Sequence, residues 1–337
     1  MRTLLKLFYI ASYYLFINRV FYFLNSKRQR VITYHNILPD KLYDATLPHC
    51  GVSHAESTFE RQIELLVEKF PITLEIGKPG TCIVTFDDGY ENNFSCAHKI
   101  LSKFNIKAYF FIPANLILHN TTLWIDKILL WLSFVPTGNY SLANSVHHIS
   151  DNMSRQKIAG KLWQLIHEDY SLKEKIINDM EKAYPFDRLP IDSFLMKLRF
   201  YGISNKQLEL MKQYGHKIGC HSIYHDILSC LTEEELQNEM QQCGTYLGTL
   251  YNTSVYSYPF GGEGEVSKQV IHSLQKQKFI CAFVNISKPH YPYNTFALPR
   301  FSLPNTSNIY ELDAKLSGLE YFLKYKKLLP KIEKVTV

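Results

Sequence analysis

The sequence predicts an α/β fold built on parallel strands, and three observations support it. From residue 31 onward, short apolar runs alternate with segments of helical apolar spacing. Two of these runs, CIVTF at 82–86 and KAYFFIP at 107–113, enclose a helical segment, NFSCAHKILSKF at 93–104. Such a βαβ unit pairs its two strands in parallel. The same alternation resumes after residue 200.

Composition narrows the class of protein. A chain of 337 residues that is 46% hydrophobic can bury one large core or two small ones. Its net charge of +6 is spread along the chain, so we expect no nucleic-acid partner. The seven cysteines form no CxxC pair and several lie in apolar runs. This favours a reducing compartment, and hence a cytoplasmic protein, over a disulfide framework.

Residues 1–30 are predicted to form an apolar, amphipathic N-terminal helix. Residues 4–24 are apolar but are broken by Lys6 and Asn18-Arg19, and the uninterrupted part, Leu7–Ile17, is shorter than a spanning helix of roughly 20 residues. A signal peptide, a spanning helix and an interfacial helix are all consistent with it. We favour peripheral membrane attachment through residues 4–24, on a side of the membrane that the sequence leaves open. A helix packed on the domain is the alternative.

The first strand, VITYH at 31–35, ends in a histidine. Strand C-termini carry the chemistry of α/β barrels. A lone histidine at a strand end is nevertheless more often a hydrogen-bonded packing residue. The local sequence therefore leaves His35 open between a structural and a catalytic role.

Residues 120–200 differ from their surroundings. They show helical spacing and no convincing strand, so we predict a helical insertion at about 119–198 within one catalytic domain, 31–330. After it, a helix closed by Gly215 and a helix that begins with the capping box Thr232–Glu235 are expected. The later strands are predicted in KIGC, VYSYP, FICAFV and ALPRF.

The segment TFDDGY, residues 85–90, places two adjacent carboxylates at the end of an apolar strand. Holding two such charges together is costly unless something divides their roles. A metal ion can do so by binding one and leaving the other as an ionised base. A solvated Asp-Asp-Gly turn is the alternative.

The segment HSIYH, residues 221–225, supplies two histidines four residues apart, which point the same way on a helical turn. Unlike the HExxH motif it carries no glutamate, so a hydrolytic site would need a third ligand and a base from elsewhere. Asp87 and Asp88 offer one of each. Iron oxygenases use the same ligand set, so the ligands alone leave the reaction open.

A third segment, YSYPFGG at 256–262, ends in a turn whose backbone N–H groups, from Phe260 onward, can hold an oxyanion.

In this order the three segments resemble the motifs of the polysaccharide deacetylase family, also called the NodB-homology or carbohydrate esterase 4 group. The resemblance covers about residues 31–112 and 200–305. It implies a distorted (β/α)7-type barrel with a metal-dependent amide or ester hydrolase site at the C-terminal ends of the strands. Zinc is the expected divalent ion.

The resemblance also implies a role for each motif residue. Asp87 corresponds to the general base of the family, and Asp88, His221 and His225 correspond to its three metal ligands. The backbone N–H of Phe260 corresponds to the group that stabilises the tetrahedral oxyanion.

Two features depart from the family pattern. Ser257 stands where the family often has an arginine that supports the base; Arg300 is a candidate substitute, with a surface arginine as the alternative. The Leu-x-Leu-x-His motif that usually supplies the general acid is missing, and the last histidines, His272 and His290, are not at strand ends. The first and last strands of a closed barrel are neighbours, so we predict that His35 takes over as the general acid.

The resemblance and these residues together imply a metal-dependent hydrolase that removes N-acetyl groups from amino sugars. The substrate is expected in a cell-surface polysaccharide or a lipid-linked glycan precursor. An O-acetyl esterase would use the same site, and a non-catalytic glycan-binding module could share the fold.

Overall fold

The computed structural model describes residues 2–119, 121–286, 288 and 293–336, with side chains from residue 4 onward. His290 lies outside the described residues. The strands are β1 (Arg30–Tyr34), β2 (Asn36–Leu38), β3 (Ser53–Ala55), β4 (Cys82–Phe86), β5 (Tyr109–Ile112), β6 (Gly138–Leu142), β7 (Ser145–Ile149), β8 (Lys217–Cys220), β9 (Val255–Ser257), β10 (Cys281–Val284), β11 (Leu298–Pro299) and β12 (Phe301–Ser302).

The helices surround the sheet and also build the N-terminal and inserted parts. They are α1 (Arg2–Tyr14), α2 (Ile17–Leu24), α3 (Glu56–Lys69), α4 (Lys99–Lys103), α5 (Ala114–His119), α6 (Trp124–Phe134), α7 (Asn152–Glu168), α8 (Leu172–Ala183), α9 (Ser193–Phe200), α10 (Asn205–Tyr214), α11 (Glu233–Thr245), α12 (Lys268–Gln275), α13 (Ile309–Ser317) and α14 (Leu319–Tyr325). A π-helical turn, Asn93–His98, precedes α4.

The central sheet is a nearly closed parallel barrel. Its strand order is β11-β10-β9-β8-β5-β4-β1-β12, and every pairing in it is parallel. β11 pairs with β10 and β12 pairs with β1, while only Arg300 separates the two. Residues 298–302 therefore act as the seventh strand, which closes the barrel between β10 and β1. The predicted distorted (β/α)7-type barrel is confirmed.

Side chains along each strand point alternately into and out of the barrel, and this produces two apolar layers. Val31, Ile83, Phe111, Val255 and Phe283 form the cluster inside the barrel. Neighbouring strand residues face outward and pack on the surrounding helices. Because the strands are parallel, their C-terminal ends all open at one end of the barrel, here called the mouth.

The predicted caps are present. Gly215 follows α10 with a φ of 102°, a left-handed conformation that glycine adopts without steric cost. Thr232 and Glu235 form the predicted capping box at the start of α11.

The sequence predicts a purely helical insertion, and this prediction is wrong because the inserted region also contains two strands. β6 and β7 form an antiparallel hairpin between α6 and α7. Its two-residue turn, Ala143-Asn144, has positive φ angles of 50° and 62°, and it lacks the Asn-Gly pair that usually reveals such a turn. Only Leu142, His147 and Ile149 of its ten strand residues are buried, so it gave no strong apolar pattern. The insertion buries its own cluster around Trp131 and Leu162.

The N-terminal region is bent instead of forming one helix. α1 and α2 meet at an angle of 79°, and Phe16, between them, has a left-handed φ of 58°. Among the described residues no single helix is long and apolar enough to cross a membrane; α1 and α2 reach that length and composition only as a bent pair.

Gly219 provides a test of the barrel interior. A Cβ at this position would lie 2.7 Å from the Phe111 ring and 2.7 Å from the Val255 carbonyl oxygen. Gly219→Ala should therefore lower the free energy of unfolding by about 1–3 kcal/mol, as overpacked cores do. Gly160→Ala is the matched control, because α7 leaves open space there; it should raise stability by about 0.5–1 kcal/mol. Urea unfolding of both variants measures the difference, and equal effects would contradict the packing described.

Candidate active site

The two carboxylates lie in a sharp turn at the mouth, directly after β4. Asp88 and Gly89 both have left-handed φ angles, 72° and 68°. At Gly89 a side chain would also collide with Ile112, 2.7 Å from the position of a Cβ. The turn directs the Asp87 and Asp88 side chains to different partners.

Asp88 faces the two histidines. Its Oδ1 atom lies 3.4 Å from Nε2 of His221 and 3.1 Å from Nε2 of His225. All three side chains are buried, and their potential ligand atoms lie within 4.8 Å of one another. Two histidines and one carboxylate are a common zinc ligand set that leaves positions open for water and substrate.

Several features show that this cluster fits a cation. The Asp88 Oδ1 atom is buried without a geometrically acceptable hydrogen bond. Burial alone would raise the pKa of Asp88, but its close contacts with His221 and His225 hold the pKa well below its usual value. A buried, ionised carboxylate with an unsatisfied oxygen and two imidazole nitrogens beside it is the donor set of a divalent metal.

The backbone around the histidines is a loop, not the helical turn that their spacing suggested. Ser222 and His225 have left-handed φ angles of 68° and 61°. The Ser222 Oγ atom accepts a hydrogen bond of 2.8 Å from the His225 N–H and holds the loop closed. Nδ1 of His221 lies 2.7 Å from the Ser257 carbonyl oxygen. Since a carbonyl only accepts, Nδ1 carries the proton and Nε2 is free to bind a metal.

Asp87 faces Arg300. The guanidinium donates two hydrogen bonds to the carboxylate, 2.8 Å to Oδ1 and 2.6 Å to Oδ2. Both side chains are buried, so Arg300 is not a surface residue. Burial would raise the pKa of Asp87, but Arg300, together with His221 and His35, holds the pKa below its usual value. Asp87 is therefore an ionised carboxylate held in one orientation.

Ser257 connects the two halves of the site. Its Oγ accepts a 2.8 Å hydrogen bond from Arg300 and donates one of 3.3 Å to Asp87, while its carbonyl accepts from His221. The small side chain leaves the space into which Arg300 reaches from the closing segment. The sequence showed only that Ser257 replaces an arginine, and its own contacts were not predicted.

His35 directly follows β1 at the mouth. Its Nε2 atom lies 3.9 Å from Oδ2 of Asp87, and its side chain is 20% exposed. Burial lowers the pKa of His35, an effect that Asp88 and Asp87 partly oppose. A histidine with a lowered pKa releases its proton readily once it is protonated. His272 lies exposed on α12, away from any strand end, as the sequence indicated.

An aromatic wall, formed by Trp124, Trp163 and Phe260, borders the ligands. The Phe260 ring centroid lies 4.7 Å from that of His225, 4.8 Å from that of Trp163 and 5.8 Å from that of Trp124. Phe260 has a left-handed φ of 58°, and its N–H has no hydrogen-bond partner among the described residues. The two tryptophans come from the insertion and were not predicted, since helical spacing does not distinguish them from core residues.

Comparison with known proteins agrees with this site. The sequence model of the family described as polysaccharide deacetylase matches residues 76–279. The chain belongs to the polysaccharide deacetylase family. No curated protein matches it in sequence.

Two solved structures are similar in fold. The deacetylase PplD of Streptococcus pyogenes, in complex with acetate, has a TM-score of 0.51 at 14% identity, covering 86% of this chain and 97% of that one. IcaB of Ammonifex degensii has a TM-score of 0.50 at 15% identity, with the same two coverages.

Substitution of the four site residues should distinguish the metal ligands from the general base. Asp88→Ala, His221→Ala and His225→Ala should each remove the metal and the activity together. Asp87→Asn should retain the metal and still lose about 10²-fold or more in rate, because it cannot accept a proton. Metal analysis of the purified variants decides the assignment. If the Asp87→Asn protein were metal-free, Asp87 would be the metal ligand and Asp88 the base.

Arg300→Lys should show whether the base requires orientation as well as a positive charge. Lysine preserves the charge but cannot donate the two parallel hydrogen bonds. We expect the metal to remain and kcat to fall by about 10- to 100-fold, as for a misplaced catalytic group. Arg61→Lys, at an exposed site on α3, is the control. Unchanged kcat in the Arg300→Lys variant would show that the bidentate contact has no part in turnover.

Proposed function

We propose that this protein is a metal-dependent hydrolase that removes N-acetyl groups from amino sugars. The observation that carries the proposal is the division of the two adjacent carboxylates. Asp88 faces His221 and His225, whereas Asp87 is held by Arg300. This arrangement supports Asp88 as a metal ligand and Asp87 as the base of a metal-dependent acyl hydrolysis.

Zinc is the ion that we propose for the site. A divalent metal held by Asp88, His221 and His225 would lower the pKa of the attacking water and polarise the acetyl carbonyl. Asp87 accepts the proton of that water, and its link to Arg300 keeps it ionised and oriented. The unpaired N–H of Phe260 donates a hydrogen bond to the developing oxyanion.

The leaving amine requires a proton. An amide nitrogen leaves as a neutral amine only if it gains a proton as the carbon–nitrogen bond breaks. His35, whose Nε2 atom lies 3.9 Å from Oδ2 of Asp87, supplies it. The products are acetate and the free amino sugar, and the proton that Asp87 took from water restores His35 in the following step.

An O-acetyl esterase is the nearest alternative, because it would share the metal and the base. An alkoxide leaves more easily than an amide anion, so an esterase has less use for a proton donor. The presence of His35 beside the base favours the amide. A non-catalytic glycan-binding module would need neither the ionised Asp87 nor its bidentate partner. Acetate release from matched N-acetyl and O-acetyl sugars tests the three possibilities.

The substrate that we propose is an amino sugar in a cell-surface polysaccharide or in a lipid-linked glycan precursor. The aromatic wall gives a sugar ring an apolar face to pack against. We also retain two proposals from the sequence, a cytoplasmic location and peripheral membrane contact through residues 4–24.

His35→Ala should retain the fold and the metal. It should lose about 10²- to 10⁴-fold in rate on N-acetyl substrates, the range expected when a general acid is removed. The loss should be much smaller on an activated aryl acetate, whose leaving group departs without a proton. Steady-state rates on the two substrates provide the comparison.

His272→Ala, a change on the exposed face of α12, is the control and should be neutral on both substrates. Equal losses on amide and aryl ester in the His35→Ala variant, or wild-type activity on both, would exclude His35 as the general acid.

A further inference from the structure

The outer face of α1 and α2 is apolar and uncovered. Leu15 and Phe23 are 70% and 77% exposed. On α2 the exposed apolar residues recur at helical spacing, so they form one continuous stripe. The exposed large apolar residues of this region are Leu4, Leu5, Leu7, Phe8, Tyr14, Leu15, Phe16, Val20, Phe23 and Leu24.

The inner face of the same helices is firmly attached to the domain. Asn18 donates a 2.6 Å hydrogen bond to Asp313 on α13, and Tyr22 donates one of 2.9 Å to the same carboxylate. Tyr9 and Phe21 are buried with Leu319 in an apolar cluster. The helix pair α1–α2 is therefore a fixed part of the folded domain, and the exposed apolar face of the pair points away from the domain.

The charged residues of the N-terminal segment itself are all basic. Residues 1–39 contain no aspartate or glutamate. Lys6, Arg19 and Lys27 are exposed, and the Arg19 guanidinium lies 4.4 Å from the Phe16 ring centroid, directly at the bend. The basic residues of the segment are Arg2, Lys6, Arg19, Lys27, Arg28 and Arg30. Basic residues beside an exposed apolar stripe match an anionic lipid surface.

The bend lies at the mouth end of the barrel. α13 begins shortly after β12, so its first turn is at the mouth, and its last turn lies beside Arg30 at the start of β1. Tyr14 hydrogen-bonds Tyr310 in the first turn of α13, whereas Asn25 bonds Ser317 at its end. The bend therefore lies at the mouth end of the barrel, and α2 runs from there toward the opposite end.

From these contacts we infer that the apolar bend sits in the headgroup region of an anionic bilayer and holds the mouth of the barrel toward the membrane. The substrate would then be an acetylated amino sugar carried by a lipid or held close to the bilayer. This last step rests on the proposed function; the orientation itself does not.

Flotation of the full-length protein with vesicles tests the contact. Wild type should bind vesicles of 70% phosphatidylcholine and 30% phosphatidylglycerol at least ten-fold more strongly than pure phosphatidylcholine, and high salt should reduce the difference. Leu15→Ser/Val20→Ser/Phe23→Ser should lower binding at least ten-fold.

Val146→Ser/Met153→Ser is the matched control, since these apolar residues are 71% and 78% exposed on the insertion. It should bind like wild type. A wild-type protein that does not bind vesicles, one that covers this face by dimerising, or equal losses in triple variant and control would each overturn the inference.

A fluorescent label at each end of the barrel tests the orientation. In a Cys230→Ser background, which removes the exposed thiol, Ser307→Cys labels the mouth and Lys78→Cys labels the opposite end. Quenching by spin-labelled lipid headgroups should be several-fold greater at position 307. Equal quenching, or more at position 78, would contradict the orientation.

Activity of the triple variant tests the substrate class. It should deacetylate a soluble N-acetylglucosamine oligosaccharide at the wild-type rate and lose at least ten-fold on an N-acetylglucosaminyl lipid in vesicles. Equal rates of the triple variant and wild type on the lipid would refute the substrate class. If wild type cleaved neither substrate, the proposed function would fail, and vesicle binding and quenching would still decide the orientation.

Discussion

The buried ion pair between Asp87 and Arg300 is the contact on which both the barrel and the site depend. Asp87 directly follows β4, and Arg300 lies in the segment that closes the barrel, between the part paired with β10 and the part paired with β1. Two charges removed from water are tolerated only when they are paired and hydrogen-bonded, and the loss of one partner costs about 3–5 kcal/mol. The ion pair therefore links the segment that closes the barrel to the proposed base. With Asp87 held in this way, only Asp88 remains to face the histidines.

Backbone strain is concentrated at the same place. Nine non-glycine residues of the described chain have positive φ, and four of them are Asp88, Ser222, His225 and Phe260. A left-handed backbone costs such residues about 1–2 kcal/mol each, so the surrounding structure must enforce it. Ser222 does this for the histidine loop, and Trp124 and Trp163 pack against Phe260. Strain of this kind is typical of sites where exact side-chain direction has a function. Here it accompanies the turns that bring the Asp88 carboxylate and the His225 imidazole together.

Local sequence signals revealed the parts of the site that lie within single motifs. Asp87, Asp88, His221 and His225 were found because each pair stands together at a strand end, and parallel strands bring their ends to the same place. Arg300 could only be a candidate, since its contact with Asp87 spans more than two hundred residues of chain. The hairpin β6–β7 was missed because its strands are polar and its turn has no glycine. Trp163 was missed because a tryptophan at helical spacing can equally be core, and the bend at Phe16 because a left-handed phenylalanine has no sequence signature.

The central claim is that one metal ion gives two adjacent carboxylates different roles, Asp88 as its ligand and Asp87 as the general base. The most direct measurement is a titration of chelator-treated protein with Zn²⁺, following bound metal and acetate release from an N-acetyl sugar together. The account predicts that activity is absent in the metal-free protein and rises linearly to a plateau at about one ion per chain, the stoichiometry of a single His₂-carboxylate site. Full activity in metal-free protein, or activity that does not follow occupancy of that one site, would contradict it.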